Sequence, residues 1–86
     1  MRIFKYHVSE PEQHLLLPTG AKVLTVTTQY GEPVMYALVD PNAPTEERTF
    51  RCIPTGKEFD PAGLTYIDTF TVEGNLVFHC FEEVQS

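Results

Sequence analysis

The chain has 86 residues, 42% hydrophobic and 21% charged, with six basic against twelve acidic side chains and a formal charge of -6 at pH 7. That length fits one domain, residues 1–86, burying only roughly 60% of the surface its unfolded form exposes, and the ordinary apolar fraction excludes a disordered body. The acidic balance repels phosphate backbones and anionic lipid, so neither nucleic acid nor a membrane is expected as a partner.

Seven Pro and five Gly interrupt stretches rich in Val, Thr, Tyr and Phe, a rhythm of strands and turns. In "RIFKYHV" (2–8), Phe4, Tyr6 and Val8 share one face and Lys5 and His7 the other, the period-2 pattern of a half-buried strand. "EPEQ" then turns the chain, and "HLLLPTG" reads as a short apolar edge piece ended by Pro18. "AKVLTVTTQY" follows, with Leu24, Val26 and Tyr30 on one face and Val23, Thr25, Thr27 and Gln29 on the other. A reversal at Gly31 and Glu32 predicts a hairpin of residues 22–30 and 33–40. Its second strand is apolar on both sides, Val34, Tyr36 and Leu38 opposing Met35, Ala37 and Val39, as in a strand covered twice or one whose outer face meets a partner.

"ALVDPNAPTEERTF" reads as a connection, because Asp40 before Pro41 suits a turn start. "RTFRCIP" is a further strand, and "TGKEFDPAG" is an irregular loop of the length that carries function or disorder. "LTYIDTFTV" and "NLVFHCFE" flank "EGN" as a second hairpin, with Gly74 placed for a positive φ. No window carries a helical apolar stripe; "SEPEQHLLL" comes nearest and is broken by Pro11 and Pro18. The expected fold is all-β: a small antiparallel sandwich or partly open barrel of five to seven strands, with at most one short helical turn.

Cys52 and Cys80 lie in apolar alternating stretches, and two cysteines make a poor disulfide framework, so a reducing cytoplasm is the expected compartment. Nothing in "MRIFKYHVSE" resembles a secretory leader, and no apolar run is long enough to span a bilayer. His7, His14 and His79 with the two cysteines lack zinc-ligand spacing, and adjacent His79 and Cys80 point to opposite faces of a strand. Cys80 alternates with Phe78 and Leu76 towards the core, which disfavours a Cys–His nucleophile. Glu46/Glu47 and Glu82/Glu83 are sequence neighbours that diverge in an extended chain, and "PTGK" lacks the spacing of a phosphate loop. No cofactor, metal or enzymatic activity is expected. Tyr30, Tyr36, Phe59 and Tyr66 fall at or near turns or on the doubly apolar strand, where aromatics serve binding patches.

The pieces "FKY" (4–6), "PTGAKVLTV" (18–26), "QYGEPVMYALVDP" (29–41), "ERTFR" (47–51), "TG" (55–56), "YIDTF" (66–70) and "LVFHCFE" (76–82) occur in an order that resembles a family of small proteins of bacteriophages and prophage-carrying bacteria, a domain of unknown function. Tyr36, where that family's pattern suggests tryptophan, and Cys80, where it suggests valine, depart from it. The resemblance implies a compact β domain in the cytoplasm of a bacterial host, with no catalytic residues. The expected function is a non-enzymatic accessory protein that binds another protein, including by inhibiting a host defence component. An oligomeric binder of a nucleotide-like ligand, met by Arg51, Lys57 and Tyr66, and a minor virion protein are the alternatives. The expected binding surface comprises Met35, Tyr36, Ala37, Lys57, Phe59 and Tyr66, and the doubly apolar strand invites a homodimer.

Overall fold

A computed structural model describes residues 1–84 and shows seven strands: β1 (Arg2–His7), β2 (Glu12–Pro18), β3 (Lys22–Gln29), β4 (Glu32–Val39), β5 (Thr45–Pro54), β6 (Leu64–Val72) and β7 (Leu76–Glu83). All pairings are antiparallel, in a three-stranded sheet of order β1-β4-β3 and a four-stranded sheet of order β2-β5-β7-β6. The sheets stack as a sandwich, not as a closed barrel. No helix occurs among the described residues; "SEPEQHLLL" instead supplies β2, whose Leu15 and Leu17 alternate inwards. Pro18 lacks an N–H and is tolerated because β2 is an edge strand.

The core lies between the inner faces. Val8, Leu17, Met35, Ala37, Val39, Phe50 and Cys80 are wholly enclosed, with Val26 and Phe70 nearly so. The chain reverses at Tyr30 (φ 52°) and Gly31 (φ 80°), and Gln29 pairs with Glu32. The positive φ at both central residues is that of a two-residue hairpin turn matching strand twist. The turn is therefore one residue earlier than expected, and Glu32 opens β4. Between β4 and β5 the chain passes from one sheet to the other, with Asp40 Oδ1 accepting from Asn42 N (3.0 Å) and Asp40 O from Ala43 N (3.1 Å). This is the side-chain turn expected of Asp before Pro.

Strand alternation fails at two places. On β3 the register slips between Val23, opposite Ala37, and Thr25, opposite Tyr36, leaving Leu24 as a bulge. Val23 therefore packs on the core and Leu24 is exposed, the reverse of the plain period-2 reading, while Val26 returns inwards. On β6 a second slip lies between Tyr66 and Asp68.

These two irregular edges face each other and join the sheets. Asp68 Oδ2 accepts from Thr25 Oγ1 (2.6 Å) and Val26 N (3.1 Å), Asp68 Oδ1 accepts from Thr69 N (2.9 Å), and Thr28 Oγ1 donates to Thr71 O (2.6 Å). The Thr25 hydroxyl, with the Val26 and Thr69 amides, holds the Asp68 carboxyl below the ordinary carboxylate value of 3.8, against the opposing effect of burial. At one end of the sandwich, Arg48 grips Glu82 through Nε (2.5 Å) and Nη2 (2.8 Å) and donates from Nη1 to Ala21 O (2.6 Å). A two-pronged, hydrogen-bonded pair of this kind satisfies charges that would be costly alone between the sheets.

A folded-state pKa below the unfolded one adds stability that is complete above the unfolded value and is lost as pH falls through the folded value. The difference in stability between wild type and Asp68→Asn, from urea unfolding, is predicted to be about 1–2 kcal/mol at pH 7. It should shrink as pH falls below 3.8; parallel curves for the two proteins would exclude this role for the carboxylate.

Candidate functional site

The expected binding residues divide among four places. Met35 and Ala37 are wholly enclosed in the core, so neither can meet a partner. Both point inwards because β4 is the central strand of its sheet, and this face lies against the four-stranded sheet. Tyr36 sits on the opposite face of β4, between Lys5 of β1 and Thr25 of β3.

This outer face is the first candidate surface. Ile3 pairs with Leu38 and Lys5 with Tyr36 on one side, and Lys22 pairs with Leu38 on the other, with bulged Leu24 beside them. Ile3 is 60% and Leu24 46% exposed, and Tyr36 and Leu38 are half-buried, so the apolar groups form one patch. Towards the hairpin, Lys5 Nζ reaches across β4 to Gln29 Oε1 (3.0 Å), over the position of Val34, which is buried despite facing outwards. The lysine stem thus shields apolar surface while its ammonium stays wet. β1, β3 and β4 carry Arg2, Lys5 and Lys22 but a single carboxylate, Glu32, in a chain of net charge -6.

Phe59 and Tyr66 come together on the outer face of the other sheet. Both rings meet Phe81, with centroids at 5.5 and 5.6 Å. Phe59 arrives on the loop after β5, while Tyr66 stands opposite Phe81 in the β6–β7 pair. Tyr66 Oη and Thr69 Oγ1 are 2.6 Å apart, Thr69 Oγ1 lies 3.0 Å from His79 Nδ1, and Thr55 Oγ1 lies 2.8 Å from His79 Nε2. With both ring nitrogens occupied by hydroxyls, His79 serves as a structural link. The same sheet carries Glu12, Glu47 and Glu83 around His14 and Arg51, with Arg51 3.2 Å from both Glu12 and Glu83. The two outer faces therefore differ in charge.

Lys57 stands elsewhere again, at the end of the sandwich opposite Arg48 and Glu82. There the sheets part around a cleft of about 540 Å³ whose apolar walls include Val8, Cys52, Phe70, Val72 and Phe78. Glu10, Glu32 and Glu73 also line it, three carboxylates against the one ammonium of Lys57. Cys52 and Cys80 are free thiols directly opposite each other on β5 and β7. No group of three His, Cys, Asp or Glu side chains able to hold a metal ion occurs among the described residues.

Neither the cleft nor the exposure of Leu24 was readable in advance. The cleft needs strand order and sheet spacing, and the Leu24 bulge leaves no mark in a run as regular as "KVLTV". Ile3 was readable, since alternation places it with Lys5 and His7.

A family profile described as a domain of unknown function (DUF7352) matches residues 1–86. No curated protein and no solved structure matches the chain.

Burial separates the two faces of the β1-β4-β3 sheet by experiment. Met35→Ala is predicted to cost about 3 kcal/mol, the usual range for truncating an enclosed Met. Leu24→Ser should cost less than about 1 kcal/mol, as for exposed positions. Chemical denaturation of both variants checks the contrast, and comparable losses would refute the assignment of faces.

Proposed function

The chain belongs to the DUF7352 family, whose description assigns no activity, and from that premise we propose that it is a non-enzymatic binding module that docks another protein on the outer face of β1, β4 and β3. The observation that carries this reading is the apolar patch of Ile3, Leu24, Tyr36 and Leu38 flanked by Lys5 and Lys22, the one outer sheet face that is not acidic. Apolar groups at the centre of a patch supply affinity, and charges at its rim select the partner and speed its approach. The partner surface that fits is apolar at its centre and carries carboxylates.

A two-fold dimer through this face would bring Lys5 and Lys22 against like charges, so a different, acidic partner fits better than a second copy. The proposed setting is that of a phage-type accessory protein in the cytoplasm of a bacterial host. There a small binding protein acts by occupying a surface its target needs, and inhibition of a host component follows from that occupancy.

A small-ligand reading is favoured by one observation, the 540 Å³ cleft, which is within the size range of ligand pockets. Its lining of Glu10, Glu32 and Glu73 turns that reading away from nucleotide-like molecules. Arg51, which a phosphate would need, already stands between Glu12 and Glu83.

Affinity capture from bacterial lysate tests the proposal. Wild type should retain a discrete acidic protein that is lost with Ile3→Asp and with Lys22→Glu, weakened by salt, and kept by Tyr66→Ala on the other sheet. No retained protein, or retention indifferent to Ile3 and Lys22, would overturn it.

A further inference from the structure

We propose that Cys52, which lines the cleft, and Cys80 behind it form a dithiol site that reduces small uncharged or cationic disulfides, a chemistry separate from the docking of a protein on the outer face of β1, β4 and β3.

Geometry comes first. Cys52 and Cys80 are register partners in the β5–β7 ladder. Cys52 N donates to Pro11 O (3.0 Å), on the β2 side. In an antiparallel strand a residue's N–H and C=O point the same way, so towards β7 the two cysteines are a non-hydrogen-bonded pair, with Cα atoms about 4.5 Å apart. That separation lies inside the range a disulfide spans, about 4.4–6.8 Å, and both side chains share the inner face. Closing the bond needs no strand movement.

The two thiols differ in the way an attacking and a resolving sulfur should. Cys80 is wholly enclosed, whereas Cys52 is only partly buried and lines the cleft. Cys52 Sγ donates to Val8 O (3.5 Å), and the Cys80 thiol faces it across the ladder. The proximity of the two sulfurs holds Cys52 below the usual thiol value, and that same proximity, with burial and the charges of Cys52, Asp68 and Glu82, pushes Cys80 far above it. A reagent in the cleft reaches Cys52 alone, and Cys80 waits behind it with its proton.

The reaction balances without a further oxidant. The Cys52 thiolate attacks one sulfur of a disulfide RSSR, forming a Cys52–S–S–R bond and releasing RS⁻, which takes up the proton Cys52 lost. Cys80 then gives up its proton and attacks Cys52 Sγ, expelling the second RS⁻ to leave as RSH. Two protein thiols become one disulfide, and one RSSR becomes two RSH. The cleft sets the class of RSSR: about 540 Å³ of apolar-walled space admits small molecules, and three carboxylates against Lys57 repel anions.

The test uses the whole reduced chain under nitrogen with three probes: cystamine (cationic), hydroxyethyl disulfide (uncharged) and glutathione disulfide (anionic). Rates are divided by those of free cysteine with the same probe, and products are read by intact mass after an acid quench and alkylation of the denatured chain. The proposal expects an unalkylated product lighter than the reduced chain by two hydrogens. It expects the normalised rate with cystamine to exceed that with glutathione disulfide about tenfold at low salt. Cys80→Ala should stop at the mixed disulfide, and Glu10→Gln, Glu32→Gln and Glu73→Gln together should remove the preference for cystamine. Protein that, quenched and denatured before alkylation, still alkylates at both cysteines after all three probes, or a wild type that stops at the mixed disulfide, would overturn the dithiol without recourse to any variant. An unchanged preference in the triple variant would overturn the role of the cleft.

Discussion

A carboxylate standing where a backbone ladder would otherwise run turns two sheets into one sandwich. β3 and β6 are both edge strands, and an edge left open is a row of unpaired amides and carbonyls. Each carries a bulge near the meeting point, so their backbones are out of step and cannot pair residue for residue. Asp68 resolves the mismatch because one oxygen takes both the Thr25 hydroxyl and the Val26 amide. The β3 slip that accompanies this link is also what turns Leu24 out of the core onto the surface. The irregularity that joins the layers thus helps create the patch to which a function is assigned.

The sandwich is asymmetric in two directions. Along the strands, one end is bridged by Arg48, Glu82 and the Ala21 carbonyl, and the other opens into the cleft above Cys52. Across the layers, one outer face is apolar and lysine-flanked, and the other combines the Phe59, Tyr66 and Phe81 rings with carboxylates held on Arg51 and His14. The acidic composition therefore describes the molecule only as an average. A partner approaching the β1-β4-β3 face meets ammonium groups and aliphatic side chains, and an anion approaching the cleft meets carboxylates.

Much of the fold was legible because strand and turn signals are local. Proline and glycine spacing marks the strands, the two apolar sides of residues 34–39 announce a central strand, and Cys80 faces the core as alternation with Phe78 requires. The candidate site was legible only in part, because its exposure depends on partners distant in sequence. Period 2 separates Met35 and Ala37 from Tyr36 but does not say which side a second sheet will cover. An expected surface that takes in Met35, Tyr36 and Ala37 together spans both faces, and Met35 and Ala37 are on the covered one. Phe59 and Tyr66 do lie at the surface together, brought there by Phe81, whose place opposite Tyr66 depends on the β6–β7 register. The pairing of the two cysteines depends on the register between β5 and β7, which no short stretch of sequence encodes.

The central proposal, that the β1-β4-β3 face docks a partner protein, is tested most directly by photo-crosslinking in bacterial cells. A benzoyl-phenylalanine is placed at position 24, and a second at position 66 on the opposite sheet. A discrete adduct to one cellular protein from position 24, absent from position 66, is the result the proposed docking predicts. Adducts from position 66 alone, or none from position 24, would contradict it.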